Sequence, residues 1–369
     1  MSSSQRDWEP VHLIAEGIGP HSGISRYAGE LYRRLQQQAD VRLCSFRPPP
    51  LAGRFTFLEH LPLGVAPDSG RGVYHFTRIM GCALMLWRPV RPAVATVHDL
   101  GPLVWPPEAA KSPLLDRALF RLSLEGLKRM DRLIAVSEAT AQSMEEQLAI
   151  PRARIDVVPE GVDPDRFQRV PQDGTLLAER YGLPDWPDGS TLLHVGGEAP
   201  RKNLAVLLQA LTLLKRDGLP ARLVKVGGSQ LDHHRQFVAD IVRLGLEADV
   251  VLVGPVPDND LPLFYSAADV LLLPSYVEGF GLPVLEAMAC GTPVVCSTAG
   301  SLPEVAGDAA LLVPPDDAAG LADAIATVLQ QADVRQRLAE KGLARCRQFS
   351  WQRTAAETMA VYQKLPGVV

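Results

Sequence analysis

Long apolar runs are missing: nowhere in the 369 residues do 18 or more consecutive apolar side chains stand together, and Met1 to Trp8 lacks the apolar core of a secretory signal. The expectation is a cytoplasmic protein. Cysteine is scarce. Cys44, Cys82, Cys290, Cys296 and Cys346 are odd in number, far apart and form no C-x-x-C pair, which argues against a disulfide framework or a zinc site and for buried free thiols. Positive charge shows no excess: 37 Lys+Arg against 42 Asp+Glu give a net charge of −5, no electrostatic footprint for nucleic acid. Lysine itself is rare, at positions 111, 128, 202, 215, 225, 341 and 364, so a Lys beside glycines draws attention.

What is present is a chain with 47% hydrophobic and 21% charged residues, enough for two cores of roughly 150–200 residues each. Short Val/Ile-rich runs alternate with segments of helical period, the pattern of a parallel sheet covered by helices. The runs predict strands at Val11–Ala15, Val41–Phe46, Val73–Phe76, Ala93–Val97, Leu133–Val136 and Ile155–Val158. A second series falls at Leu192–Val195, Arg222–Val226, Val250–Val253, Val270–Leu273 and Val294–Cys296. Helices are expected at Ser25–Gln37, with Tyr27, Leu31 and Leu35 on one face, and at Pro113–Arg129. Between the two series, residues 166–190 hold Pro171, Gly174, Gly182, Pro184, Pro187 and Gly189, a density of turn formers that marks a boundary. The division is a first α/β domain over 1–168 and a second over 169–350. Ligands of such sheets bind outside the carboxyl ends of the strands, so the strand-to-helix loops are where function is expected, in a cleft between facing strand ends.

Those loops carry the chemistry. Pro274 to Pro293 follows a strand and opens a helix with Pro283 in its first turn. Gly279 and Gly281 permit close approach of a ligand to the backbone, and the N–H groups of the next turn, around Leu282, suit phosphate oxygens. Glu286, one turn in, is placed to accept from the two hydroxyls of a ribose, and Glu278 to reach a second set of hydroxyls. Leu193 to Leu204 puts the adjacent cations Arg201 and Lys202 at a strand end, suited to a diphosphate whose charge rises as its bond to a leaving sugar breaks, with Asn203 expected to cap the following helix. Glu16 to Tyr27 matches a dinucleotide fingerprint only loosely, because Gly17, Gly19 and Gly23 miss the G-x-G-x-x-G spacing. His98, after the strand ending at Val97, is either structural or a donor to a sugar hydroxyl. The turn Val157 to Asp163 reads as positioning a hinge. Plain packing is the first explanation for Phe76 to Pro89, unusually apolar between strands, with an acceptor groove or a membrane-touching face as the alternative.

Together, the Gly23 to Tyr27 turn, Val97 to Leu100, Val136-Ser137, Val158 to Asp163, Pro200 to Asn203 and the E-x7-E pair Glu278/Glu286 resemble the retaining family 4 glycosyltransferases over nearly the whole chain. The resemblance implies the GT-B fold: two facing Rossmann-like doubly wound domains, with a C-terminal helix (351–369) packed back on the first. It implies a nucleotide-sugar donor held mainly by the second domain. Arg201 and Lys202 match positions that contact the diphosphate, Glu286 the ribose, Glu278 the donor sugar, and His98 a histidine near that sugar. Gly23 lies in the loop closing over the phosphates, and base contacts come from near Val256 and from Leu261 to Tyr265. One departure stands at Gly197, where many relatives carry Arg.

The resemblance also implies transfer with retention and without a bound metal or other cofactor, and no D-x-D is recognised as carrying a cation between diphosphate and protein. The Gly23 to Tyr27 and Pro200 to Asn203 segments favour a GDP-sugar, mannose or related, with UDP-hexose the nearest rival. The acceptor is a saccharide or a lipid-linked sugar in polysaccharide or glycolipid assembly, with peripheral contact at the inner membrane face. A sugar-nucleotide epimerase on the same scaffold is a different class, distinguished by needing no acceptor.

Overall fold

The structure, a computed structural model, describes residues 9–15, 23–45, 72–105, 114–171, 175–183, 190–228 and 230–368. Two compact units emerge: residues 1–161 with 351–369, and residues 162–350.

In the first unit the order is β1 (Val11–Ala15), α1 (Gly23–Leu35), β2 (Val41–Ser45), β3 (Val73–Phe76), β4 (Ala93–Val97), α2 (Leu114–Leu127), β5 (Arg132–Ala135), α3 (Glu138–Leu148) and β6 (Ile155–Val157). All pairings are parallel, in the order β2-β1-β3-β4-β5-β6. Strands β1, β3 and β4 are buried along their whole length, as strands covered on both faces must be. Helix α1 buries the expected Tyr27, Leu31 and Leu35, and α3 is capped by Ser137, whose Oγ accepts from the Thr140 amide. The apolar segment after β3 is a 3-10 stretch, Ile79–Leu86, that buries Ile79, Cys82, Leu84 and Met85 against α2 and β4. Packing rather than an open groove therefore explains most of its character, although Trp87 stays half exposed.

The second unit contains α4 (Thr175–Tyr181), β7 (Ser190–Val195), α5 (Leu204–Arg216), β8 (Ala221–Val226), α6 (Leu231–Leu244), β9 (Val250–Gly254), α7 (Leu261–Ala267), β10 (Val270–Leu273), α8 (Leu282–Ala289), β11 (Val294–Ser297), α9 (Leu302–Ala306), β12 (Ala310–Val313), α10 (Ala318–Gln330) and α11 (Ala332–Cys346). Its parallel sheet runs β12-β11-β10-β7-β8-β9. Chain direction across the sheet reverses between β7 and β10, which makes their carboxyl ends the topological switch point where such sheets take ligands. Strand β12 is not among those expected from the sequence. This short edge strand is only partly buried, is rich in Leu and Ala, and carries little β-branched signal.

The boundary falls earlier than position 168. Val162 donates its amide to Phe349 O (3.2 Å), Arg166 pairs with Asp258 (3.7 Å), and Val170 donates its amide to Ser266 Oγ (3.0 Å), all within the second unit. Turn-former density marks where the chain is irregular, whereas these bonds decide to which core it is attached. The last helix, α12 (Trp351–Tyr362), joins the first unit: Thr354 Oγ1 donates to Pro159 O (2.8 Å), Trp351 packs edge-on to Tyr27, and Tyr362 Oη meets His75 Nδ1 at 2.6 Å.

Candidate functional site

The loops after β7 and β10 meet at the switch point of the second sheet. The Tyr276 amide donates to Arg201 O (2.8 Å), tying the two loops by their backbones. Asn203 does not cap α5 as expected. It adopts a left-handed conformation (φ 55°), and its side-chain amide donates to Pro274 O (3.1 Å) and Pro315 O (2.6 Å), stitching three loops together.

On this frame Lys202 Nζ donates to Glu278 Oε1 at 2.6 Å, and Ser275 Oγ donates to the same oxygen at 2.6 Å. Burial by itself would raise the Glu278 carboxyl, but the charges of Lys202 and Arg201, with the hydrogen bonds from Lys202 and Ser275, hold it below the ordinary carboxylate range. Two cations thus act on this one carboxylate.

The Glu278 backbone is held from a third loop. Ser301, between β11 and α9, points its amide (3.2 Å) and its hydroxyl (3.1 Å) at Glu278 O, and the same hydroxyl lies 2.8 Å from Phe280 O. Beside it Gly300 has φ +58°, and a Cβ there would lie 2.6 Å from Glu278 O and 2.9 Å from Glu278 N. Ser297 Oγ donates to Ser275 O at 2.5 Å. Neither Gly300 nor Ser301 belongs to a motif singled out in the sequence. The one available signal was the Ala-Gly-Ser-Leu-Pro run that opens α9 after a strand.

Helix α8 starts at Gly281, a left-handed N-cap (φ 99°), with Leu282 and Pro283 in its first turn. Its anion-binding capacity is narrower than a generic helix start, since Pro283 has no N–H and the Val284 amide donates to Gly281 O (2.9 Å). Glu286, buried one turn in, accepts from Tyr265 Oη at 2.6 Å. Tyr265, on α7, is fully buried, and its backbone carbonyl accepts from Thr292 Oγ1 (2.6 Å). Val256 is partly buried in the loop after β9. Gly197 lies against the next loop: a Cβ there would come within 3.3 Å of Gly228 O, so an Arg would need that backbone to give way.

Two Asp-x-Asp tripeptides do occur. In Asp258 to Asp260, Asp258 pairs with Arg166, while Asp260 accepts from Arg180 (2.8 Å) and Tyr181 (2.5 Å). In Asp163 to Asp165, Asp163 accepts the Asp165 amide (3.1 Å). Among the described residues, no group of three or more His, Cys, Asp or Glu is placed to hold a metal ion.

In the first unit, His98 follows β4 with both ring nitrogens engaged: Nδ1 lies 2.8 Å from Glu160 Oε1 and Nε2 3.0 Å from Thr77 O. Both ring nitrogens thus have protein partners in this arrangement. Gly23 is the first residue of α1 and is exposed; the preceding Gly17 and Gly19 fall outside the described residues. The five thiols are free, with Cys44 partly exposed rather than buried. Burial and the Glu286 charge push the Cys290 thiol up to about 12.

Fold and loops together define a two-unit α/β enzyme of the GT-B class. A sucrose-phosphate synthase from Thermosynechococcus elongatus superposes with a TM-score of 0.79 over 96% of this chain and 98% of its own, at 24% identity. Anabaena HepE, in complex with UDP-glucose, superposes with the same TM-score over 97% and 100%, at 20% identity. Residues 21–166 match Glycosyltransferase Family 4, and residues 185–345 match Glycosyl transferases group 1. The O-antigen chain mannosyltransferase B of Escherichia coli is 35% identical over 94% of this chain and 97% of its own length. An MMP alpha-(1->4)-mannosyltransferase of Mycolicibacterium hassiacum is 31% identical over 79% and 70%. A D-inositol 3-phosphate glycosyltransferase of a Nocardioides species is 36% identical over 63% of this chain, which spans about half of that relative. The chain belongs to the family 4 glycosyltransferases and is a glycosyltransferase.

Proposed function

We propose that this enzyme transfers mannose or a related hexose, with retention and without a metal ion, from a GDP-sugar to a saccharide or lipid-linked acceptor in polysaccharide or glycolipid synthesis. The observation that carries the reading is the Lys202–Glu278 pair with Arg201 at the switch point of the second sheet. Arg201 and Lys202 receive the diphosphate, and the Gly281 and Leu282 amides add donors as charge develops on the leaving group. Glu286, oriented by Tyr265, takes the ribose hydroxyls, Glu278 takes those of the donor sugar, and Val256 lies beside the base. No carboxylate is assigned as a nucleophile: the departing diphosphate itself assists the acceptor hydroxyl. Mannose is supported by the near full-length match to the E. coli mannosyltransferase. UDP-hexose is the second reading, favoured by the UDP-glucose of HepE.

No helix among the described residues is long and apolar enough to cross a membrane. We place the enzyme in the cytoplasm, touching the inner membrane face peripherally. Leu114, Leu115 and Leu122 are exposed on α2 beside exposed Arg117 and Arg121, a pairing of side chains that suits a lipid interface.

Thermal unfolding with GDP, UDP and ADP at equal excess tests the donor, because a ligand bound only to the folded chain raises its midpoint. A shift with GDP that is lost in Glu286→Ala is expected; a shift with UDP alone moves the assignment to UDP-hexose, and no shift with any of the three overturns the donor site. Product anomeric configuration, and turnover in excess chelator, test retention and metal independence.

A further inference from the structure

His98 is the side chain whose surroundings the sequence explained least. It stands at the carboxyl end of β4, mostly buried, with an edge-to-face contact to Tyr27 of α1 (ring centroids 4.7 Å apart). Its Nε2 faces a backbone carbonyl, Thr77 O at 3.0 Å. A carbonyl can only accept, so Nε2 must carry a proton. Its Nδ1 faces Glu160 Oε1 at 2.8 Å. An ionised carboxylate also only accepts, and against it Nδ1 carries the second proton. Both acceptors are satisfied together by the imidazolium against the carboxylate.

The neighbours fit that state. Glu160 is 4% exposed, where a carboxylate is costly unless a cation pairs with it, and His98 is the group placed to do so. The other titratable side chains nearby are taken: Tyr27 Oη meets Thr96 Oγ1 at 3.0 Å, and His75 lies between Thr96 Oγ1 (2.8 Å) and Tyr362 Oη (2.6 Å). Burial, and then the charge of His98, lower His75 to about 3, which keeps that ring neutral. The adjacent Asp99 caps its own turn by accepting the Gly101 amide (2.9 Å), and its charge acts on Arg78.

We infer that Glu160 is a positioning residue that keeps His98 doubly protonated, so that His98 serves as a charged hydrogen-bond donor to substrate oxygen at the carboxyl edge of the first sheet and not as a base. The inference rests on the transferase reading for its substrate. The donor is Nε2, which exchanges Thr77 O for a hydroxyl or phosphate oxygen while Glu160 retains Nδ1 and fixes the ring plane. No proton leaves the ring in this exchange. The Pro-Glu-Gly-Val-Asp turn, read from sequence as a hinge element, thus supplies the carboxylate that faces His98.

Nitrogen-15 NMR of the histidine rings in the full chain at pH 7.5 is the test, with the His98 signals assigned by their absence in His98→Asn. Two protonated ring nitrogens are expected in the wild type and one in Glu160→Gln. A single protonated nitrogen in the wild type, or an unchanged pair in Glu160→Gln, overturns the inference. If Glu160→Gln fails to fold, the wild-type spectrum alone decides it. Turnover supplies the second readout: kcat is expected to fall roughly 10- to 100-fold in Glu160→Gln and to recover at least in part in Glu160→Asp, which restores the carboxylate. Equal loss in both variants would reduce Glu160 to a packing role and overturn the positioning claim. A wild type with no transfer to any acceptor would overturn the transferase reading, while the ring signals still report the charge of His98.

Discussion

Glu278 shows how far a residue type in a motif can be carried before geometry is needed. Its spacing to Glu286 makes it a candidate, but spacing says nothing of the partners that make it an anion. Lys202 and Ser275 converge on one of its oxygens at 2.6 Å each, which leaves the other oxygen for a ligand hydroxyl. Glu278→Gln keeps the shape and removes the charge. We expect it to retain nucleoside diphosphate binding, because Lys202 and Arg201 remain cationic, while kcat falls at least about tenfold through loss of a charge-assisted bond to the donor sugar. Thermal shift with nucleotide beside steady-state kinetics checks both halves, and loss of binding would place Glu278 in the phosphate clamp instead. A second buried pair, Lys225 with Glu198 at 2.6 Å and His234 on the other carboxylate oxygen at 3.0 Å, was invisible in the sequence. Its three members come from separate segments, and no local pattern announces that they meet.

At the scale of elements, the strands were legible almost everywhere. Buried parallel strands are near-continuous apolar runs, and β1, β3, β4 and β10 end where the runs end. The sequence missed β12, where partial burial weakens the same signal, the short helix α4 among the turn formers of 166–190, and the cap of α5, where Asn203 turns its side chain onto two neighbouring loops. The loop after β11 is the element that carries most of the unforeseen work, since Gly300 and Ser301 hold the backbone of Glu278. Gly300→Ala places a Cβ against that backbone in a left-handed conformation. It is expected to cost at least about 1–2 kcal/mol in urea unfolding and to weaken nucleotide binding together with it. Normal binding in a destabilised variant would mean that the Glu278 loop is held without this contact.

At the scale of the whole molecule, buried titratable groups set the response to pH. Burial holds His194 down at about 4 and His75 at about 3, against an ordinary 6.5, so the unfolded chain takes up protons that the native chain refuses. Stability is therefore lost as pH falls from 6.5 toward 4. Glu278 and Glu198, both held below their ordinary 4.5 against the opposing effect of burial, add a second loss as pH falls below that value. Urea midpoints from pH 8 to pH 4 should decline monotonically on the acid side, and His194→Gln should flatten the decline between 6.5 and 4. An unaltered slope in that variant would assign the effect elsewhere.

By itself the sequence determined the class of architecture and the identity of the switch-point loops, and it singled out Arg201, Lys202, Glu278 and Glu286 as candidates, because these depend on periodicity and short-range spacing. Tertiary structure alone decided that Val162 to Val170 attaches to the second core, that Ser301 and Tyr265 orient the two glutamates, and that Glu160 claims His98. Each of those facts is a contact between segments distant along the chain, up to 187 residues for Val162 and Phe349. Hydrogen-bond partners at that separation leave no mark on local composition, since the chain must fold before either one meets the other.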